Sequence, residues 1–374
     1  MMDYSKRIVV STWYGPANYG TALQALALKR FLELKGHRVQ YIDDKREKSA
    51  NIIRPEHKSK LNKLCKIATW YRLPYRKDIR QKAIMQAAYM EQYCDRYEIR
   101  DDRDITRINQ ETDLFITGGD QVWNPYVIED VHFLTFVDTG IPKVSYGTSV
   151  GVNQIPKEFQ KKYANCLNAY TAISVREATS KRVLEEFLDL PIEIVVDPTL
   201  LLDAADWGFL SDTAKLDDVS GKPYILCYFV GHKKEYWNYV EKLKKNTGYR
   251  VIVLPINDFA YVNLYEKYVK TSPAEFLALI KNAKIVCTDS FHATLFSIQY
   301  EREFYVLKRF EDTSSESQNS RLVDFLRDVG LTNRLVNNED KFERIKDIDY
   351  LSVRETIKDE RMRSIEWLEK KVCI

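Results

Sequence analysis

The chain of 374 residues is 45% hydrophobic and 12% aromatic with a net charge of +3, which suits packed globular cores and excludes a disordered chain. It holds no apolar run of about 18 residues, so no transmembrane helix is expected. Cys65, Cys94, Cys166, Cys227, Cys287 and Cys373 form no CxxC pair and have no histidine at ligand spacing, which argues against a disulfide framework or a structural zinc.

The N-terminus runs from Met1-Met2-Asp3 almost directly into Arg7-Ile8-Val9-Val10, which reads as fold and not as a secretory signal, so a cytoplasmic protein is expected. Arg7 to Thr12 is a β-branched strand, followed by the turn Gly15-Pro16-Ala17-Asn18-Tyr19-Gly20. Thr21 to Lys35 carries apolar residues at helical spacing, Gly36 stops it, and Arg38 to Ile42 is the next strand, completing a βαβ unit.

From Lys45 to Lys82, thirteen Lys/Arg stand against Glu47, Glu56 and Asp78, a net +10 in a chain of net +3. Trp70, Tyr71 and Tyr75 lie among these cations. Basic residues with interfacial aromatics suit an anionic membrane surface or a polyanionic ligand; a solvated helical insertion with a few packed aromatics is the alternative. Nucleic acid is not expected as a partner, because the basic character is confined to one insert, about 45–107, without a nucleic-acid-binding motif.

Beyond the insert, Asp113 to Thr117 is a strand running into Gly118-Gly119-Asp120, and Lys143 to Tyr146 runs into Gly147-Thr148-Ser149. Ala172 to Val175 leads into Arg176-Glu177 and a helix, and Ile192 to Val196 ends at Asp197-Pro198. A second series starts after the polar linker Ser211 to Lys222: strand Tyr224 to Val230, helix Lys233 to Asn246, strand Arg250 to Leu254 and helix Ala274 to Lys281. Strand Lys284 to Cys287 then leads to Thr288-Asp289-Ser290-Phe291-His292 and a helix, with Glu303 to Leu307 and Ser320 to Val329 continuing the alternation. Two α/β series, each beginning afresh, predict two Rossmann-like lobes, residues 1–210 with the basic insert and residues 211–340, with the C-terminal helix 349–374 packing on the first.

Candidate site residues are those at the carboxyl ends of strands, where open α/β sheets bind ligands. Asp289 and Ser290 are good helix caps, so His292 falls in the first turn of a helix, where free N–H groups favour an anion. A structural histidine is the alternative. Gly15 to Gly20, with Asn18, Tyr19 and Gly20, either cradles phosphate or is a turn lining a cleft floor; no P-loop and no GxGxxG is present. Gly119 allows close backbone approach, and Asp120 is a general base or a helix cap. Arg176 at a buried strand end needs an anionic partner, either Glu177 or another acid, or the substrate. Asp197 before Pro198 fixes a turn, and Arg321 near a helix start reaches either the cleft or the surface.

The ordered set Asn18-Tyr19-Gly20-Thr21-Ala22-Leu23-Gln24, Gly119-Asp120-Gln121-Val122-Trp123-Asn124, Ser174-Val175-Arg176-Glu177, Asp197-Pro198-Thr199 and Thr288-Asp289-Ser290-Phe291-His292-Ala293-Thr294 resembles the polysaccharide pyruvyl transferase family. Ala293 stands where that family often has glycine, and the basic segment falls outside the matching blocks. The resemblance implies two Rossmann-like lobes facing across a cleft, similar to GT-B glycosyltransferases. It also implies phosphoenolpyruvate as donor, and a pyruvate ketal bridging two sugar hydroxyls of a surface or capsular polysaccharide or its precursor. Under it, Arg176 and Ser290 contact the donor, His292 contacts phosphate and delivers a proton, and Asp120, or else Asp289, activates the acceptor hydroxyl.

No cofactor or metal is expected beyond that donor. The expected partners are a sugar or lipid-linked oligosaccharide acceptor and, through the basic insert, the inner face of an anionic membrane. A GT-B glycosyltransferase using a nucleotide sugar is the rival reading, and a sugar- or anion-binding module without chemistry is the non-enzyme one.

Overall fold

The computed structural model describes residues 5–46, 70–217, 219, 221–309, 320–336 and 347–373. The chain divides into two compact units. One comprises Met1–Pro55, Met90–Leu202 and Thr356–Ile374; the other comprises Glu56–Tyr89 and Asp203–Glu355.

In the first unit, β1 (Arg7–Ser11), β2 (Arg38–Asp44), β3 (Arg96–Ile99), β4 (Leu114–Gly118) and β5 (Lys143–Tyr146) form an all-parallel sheet in the order β3-β2-β1-β4-β5. The central strands are apolar runs because parallel strands are covered on both faces: Ile8, Val9 and Val10 are buried, as is every residue of β4. The helix Tyr19–Leu34 makes the crossover from β1 to β2 and buries most of its length. A short parallel pair, β6 (Ile173–Val175) and β7 (Ile192–Ile194), continues beyond β5 through the bridges Val144↔Ala172 and Thr148↔Val175. One face is closed by aromatic packing, with Trp123 stacked on Phe133 and edge-on to Tyr170. The C-terminal helix Tyr350–Val372 contributes here too. Its Ser364 hydroxyl accepts the Val196 N–H at 2.9 Å, and its Trp367 ring lies 6.4 Å from that of Tyr146.

In the second unit, β8 (Tyr224–Tyr228), β9 (Arg250–Val253), β10 (Glu266–Lys267), β11 (Ile285–Thr288), β12 (Glu303–Leu307) and β13 (Leu335–Val336) are again all parallel, in the order β10-β9-β8-β11-β12-β13. Both sheets thus begin at a central strand, wind outward, and reverse on its other side. That is the doubly wound Rossmann order, and it places a topological switch point between β1 and β4 and another between β8 and β11. The fold class is α/β with two Rossmann-like sheets.

The basic insert, expected over about 45–107, is shorter than that. Arg96–Ile99 is the edge strand of the first sheet and Asp102–Glu111 the helix after it, capped by the Asp101 side chain. The charged alternation Arg96-Tyr97-Glu98-Ile99 reads as polar surface but suits an edge strand, half of which faces solvent. The described part of the insert ends with the helix Arg76–Tyr93, and residues up to Tyr89 group with the second unit. Residues 47–69, which carry much of the insert's charge, lie outside the described residues. Among the described residues, no helix is long and apolar enough to cross a membrane.

Candidate functional site

At the carboxyl edge of the first sheet, Asn18 caps the helix Tyr19–Leu34, its side chain accepting from Gly20 N at 3.1 Å and Thr21 N at 3.5 Å. Tyr19 and Gly20 are buried, so the Tyr19 side chain is part of the core. The loop after β1 is fastened by Gln24, whose Nε2 donates to Thr12 Oγ1 at 3.0 Å, Trp13 O at 2.9 Å and Thr21 O at 3.0 Å.

Across from it, β4 runs into Gly119 at φ 60 and Asp120 at φ 44. A Cβ on Gly119 would lie 1.5 Å from Gln24 Oε1, so only glycine fits between this turn and the helix. Asp120 holds a left-handed conformation that non-glycine residues seldom adopt and that concentrates at functional sites. Its Oδ2 accepts from Thr21 Oγ1 at 2.6 Å and its Oδ1 from Gln121 N at 2.9 Å. The sequence-predicted Asn18, Gly20, Gly119 and Asp120 are therefore gathered where the first helical turn meets the end of β4.

Arg176 joins this group from the end of β6. Its Nη1 donates to Asp197 Oδ2 at 2.7 Å, with Glu177 Oε2 3.5 Å from Nε and Asp120 Oδ1 3.6 Å from Nη2. Its side chain is only 1% exposed. Burial works against the guanidinium charge, yet Asp197, Asp120 and Glu177 together outweigh it and hold the group above its ordinary pKa. Asp197, Glu177 and Asp120 are thus the acids gathered around Arg176. Asp197 also accepts from Thr199 N at 3.0 Å and Thr199 Oγ1 at 2.7 Å, fixing the turn before Leu200. One buried cation thus ties together three carboxylates from three strand ends.

At the edge of the second sheet, β11 leads into the helix Phe291–Gln299, with Ser290 as its cap accepting from Ala293 N at 3.4 Å. Ser290 N donates to Thr288 Oγ1 at 3.0 Å, which sets the bend. His292 is buried in the first turn, its ring edge-on to Phe291 at 5.4 Å. Ala293 is wholly buried, so the methyl group fits where close packing is required. Arg321, in the first turn of the helix Ser320–Asp328, places its guanidinium 5.6 Å from the Phe291 ring centroid, and Phe325 of that helix packs edge-on to Phe291 at 6.0 Å.

Asp289, the alternative base, is already engaged on every side. It accepts from Val230 N and Gly231 N, each at 2.7 Å, from Tyr236 Oη at 3.2 Å and from Arg309 Nε at 3.3 Å. With a fully buried side chain, it ties the loop after β8 and Arg309 to the helix start. Arg309 Nη2 also donates to Asp289 O at 3.1 Å. Arg309, two residues past β12, was not foreseen, because its partner Asp289 lies 20 residues earlier at the end of another strand. His132, also unforeseen, is buried with Nδ1 2.9 Å from Ser11 Oγ and its ring edge-on to Trp13. The second unit thus presents one helix start with an imidazole in its first turn and two arginines beside it.

Solved structures with a similar chain trace include MnaA of S. aureus solved with UDP (11% identity, covering 95% of this chain and 87% of that one, TM-score 0.48) and a UDP-GlcNAc 2-epimerase of Neisseria meningitidis bound to UDP-GlcNAc (11%, 98% and 100%, 0.44). MurG of Acinetobacter baumannii is another (8%, 95% and 95%, 0.41). At such identities and scores these likenesses say nothing about chemistry, and the fold stands on the two strand orders. No curated protein matches the chain in sequence. The family model described as polysaccharide pyruvyl transferase, however, matches residues 18–309, a span that runs from the Asn18 cap through Asp120, Arg176 and His292 to Arg309. The chain belongs to the polysaccharide pyruvyl transferase family.

Proposed function

We propose that the protein moves pyruvate from phosphoenolpyruvate onto two hydroxyls of a sugar, forming a cyclic ketal and releasing inorganic phosphate. The observation that carries this reading is the start of the helix Phe291–Gln299, where His292 sits in the first turn with Arg321 over Phe291 and Arg309 on Asp289. A doubly anionic small molecule suits such a place, because backbone N–H groups, helix dipole and guanidinium charge act on it together.

In the chemistry, a proton adds to the methylene carbon of the enol, making a methyl group and leaving an electron-poor centre at C2. One sugar hydroxyl attacks C2 and gives up its proton. A second hydroxyl then displaces phosphate from the same carbon with loss of its own proton, closing the ring. His292 is assigned to phosphate contact and proton delivery, with Arg321 and Arg309 supplying charge. Asp120 is assigned as the base for the acceptor hydroxyl. Arg176, enclosed by acids, is assigned to holding Asp120 in place rather than to touching the donor. The acceptor is a sugar of a surface or capsular polysaccharide or of its precursor.

The test is phosphate release from phosphoenolpyruvate in the presence of a panel of galactosides and N-acetylhexosamines. Release that requires both donor and one class of acceptor is the expected result. Turnover of a UDP-sugar with the same acceptors, and none of phosphoenolpyruvate, would instead support the glycosyltransferase reading.

A further inference from the structure

The described end of the basic insert and the helix Asp258–Val262 form a joint within the second unit. Arg72 is ion-paired with Asp258, its guanidinium lies 5.3 Å from the Tyr261 ring centroid, and the Tyr75 ring lies 5.7 Å from that same ring. Around this joint the side chains left in solvent are large and apolar. Trp70 is 66% exposed with Tyr71 and Leu73 exposed next to it, while Phe259, Val262 and Leu264 are exposed on the other partner of the joint. Two segments 186 positions apart are thus joined through Arg72 and Asp258, and each carries exposed apolar side chains close in sequence to the joint.

The helix that follows, Arg76–Tyr93, fully buries only Tyr89. Positions four apart put Arg76, Arg80 and Ile84 on one of its faces, and all three are exposed. Arg76, Lys77 and Arg80 form no ion pair among the described residues, unlike Arg72. Exposed apolar side chains beside exposed cations mark an interaction surface rather than ordinary solvated helix. Tryptophan and tyrosine with aliphatic residues among Lys and Arg is the composition that partitions into the headgroup region of an anionic bilayer. A nucleic acid would use the cations but gain little from exposed Val262 and Leu264.

We propose that this composite face, Trp70, Tyr71 and Leu73 with Phe259 and Leu264, bordered by Arg76, Lys77 and Arg80, docks the protein on an anionic lipid surface. The inference is independent of the reaction assigned above. It differs from a charge-only tether in that two of its five apolar side chains, Phe259 and Leu264, come from outside the insert.

The experiment is co-sedimentation of the full chain with vesicles of phosphatidylcholine, with and without phosphatidylglycerol, at low and high salt. Binding to the phosphatidylglycerol vesicles that weakens with salt is expected. Arg76→Gln/Lys77→Gln/Arg80→Gln should lower partitioning by about a hundredfold, at roughly fivefold per charge. Phe259→Ser/Leu264→Ser, which leaves the insert untouched, should lower it by at least about tenfold. All five positions are exposed, so both variants should melt with the parent protein. No binding to anionic vesicles would overturn the proposal. So would unchanged binding of the Phe259/Leu264 variant, or a dimer in solution that this same variant abolishes, since the face would then belong to a second copy.

Discussion

His292→Ala is expected to lower phosphoenolpyruvate-dependent phosphate release by about a hundred- to ten-thousandfold, the range a positioned acid–base group contributes. The reason lies in where the ring is held. Ser290 caps the helix, Asp289 is locked by two backbone N–H groups and Arg309, and Phe291, itself covered by Arg321, packs edge-on to the ring, so the imidazole sits in a fixed setting at the helix start. Loss of a group that acts only in the transition state lowers kcat and kcat/KM together, whereas loss of simple donor binding raises KM alone. Steady-state kinetics on a variant whose circular dichroism matches the parent would therefore separate the two roles. Near-parental phosphate release by His292→Ala would remove the histidine from the mechanism.

Arg176→Met is expected to destabilise the fold by about 3–5 kcal/mol, as removal of one member of a buried ion-paired group does. Asp197, Asp120 and Glu177 would be left as neighbouring carboxylates without a cation. Urea unfolding measures the loss. Part of it should be recovered as pH falls, because burial and mutual repulsion raise the pKa of acids that have lost their cation, and protonation then favours the folded state. Arg176→Lys should recover little, since one ammonium cannot match a planar guanidinium that reaches three acids. If Arg176 instead served the donor directly, Arg176→Met would unfold near the parental urea concentration and show a raised KM for phosphoenolpyruvate.

Much of the framework was legible because it is local. The run Arg7 to Val10, the helix after Asn18 and the strand beginning at Arg38 declare themselves by apolar spacing and by a cap, and they appear as β1, the crossover helix and β2. The Asp289-Ser290 cap likewise placed His292 in a first helical turn. What distance in sequence conceals is the partner of each polar group. Thr21 meets Asp120 across 99 positions, and Arg309 reaches back 20 residues to Asp289. Arg176 called for an anionic partner, but that Asp197, 21 residues on and read only as fixing a turn, is one of them could not be seen from spacing. The edge strand Arg96–Ile99 was hidden for another reason: half its residues are charged, and only pairing with β2 makes it a strand.

The site at the first sheet also shows how backbone and chemistry are linked. Gly119 combines a positive φ with the Gln24 side chain in the place of its Cβ, and Asp120 follows it in a left-handed conformation. Thr21 and Arg176 then hold the Asp120 carboxylate from two sides.

The most direct measurement is the mass of the product formed from phosphoenolpyruvate and a sugar that supports phosphate release. Pyruvyl transfer predicts an acceptor heavier by one pyruvate less one water, with one phosphate released per ketal and with formation lost in His292→Ala. An acceptor that gains mass only from a nucleotide sugar, by one hexose less one water, would contradict the proposed reaction.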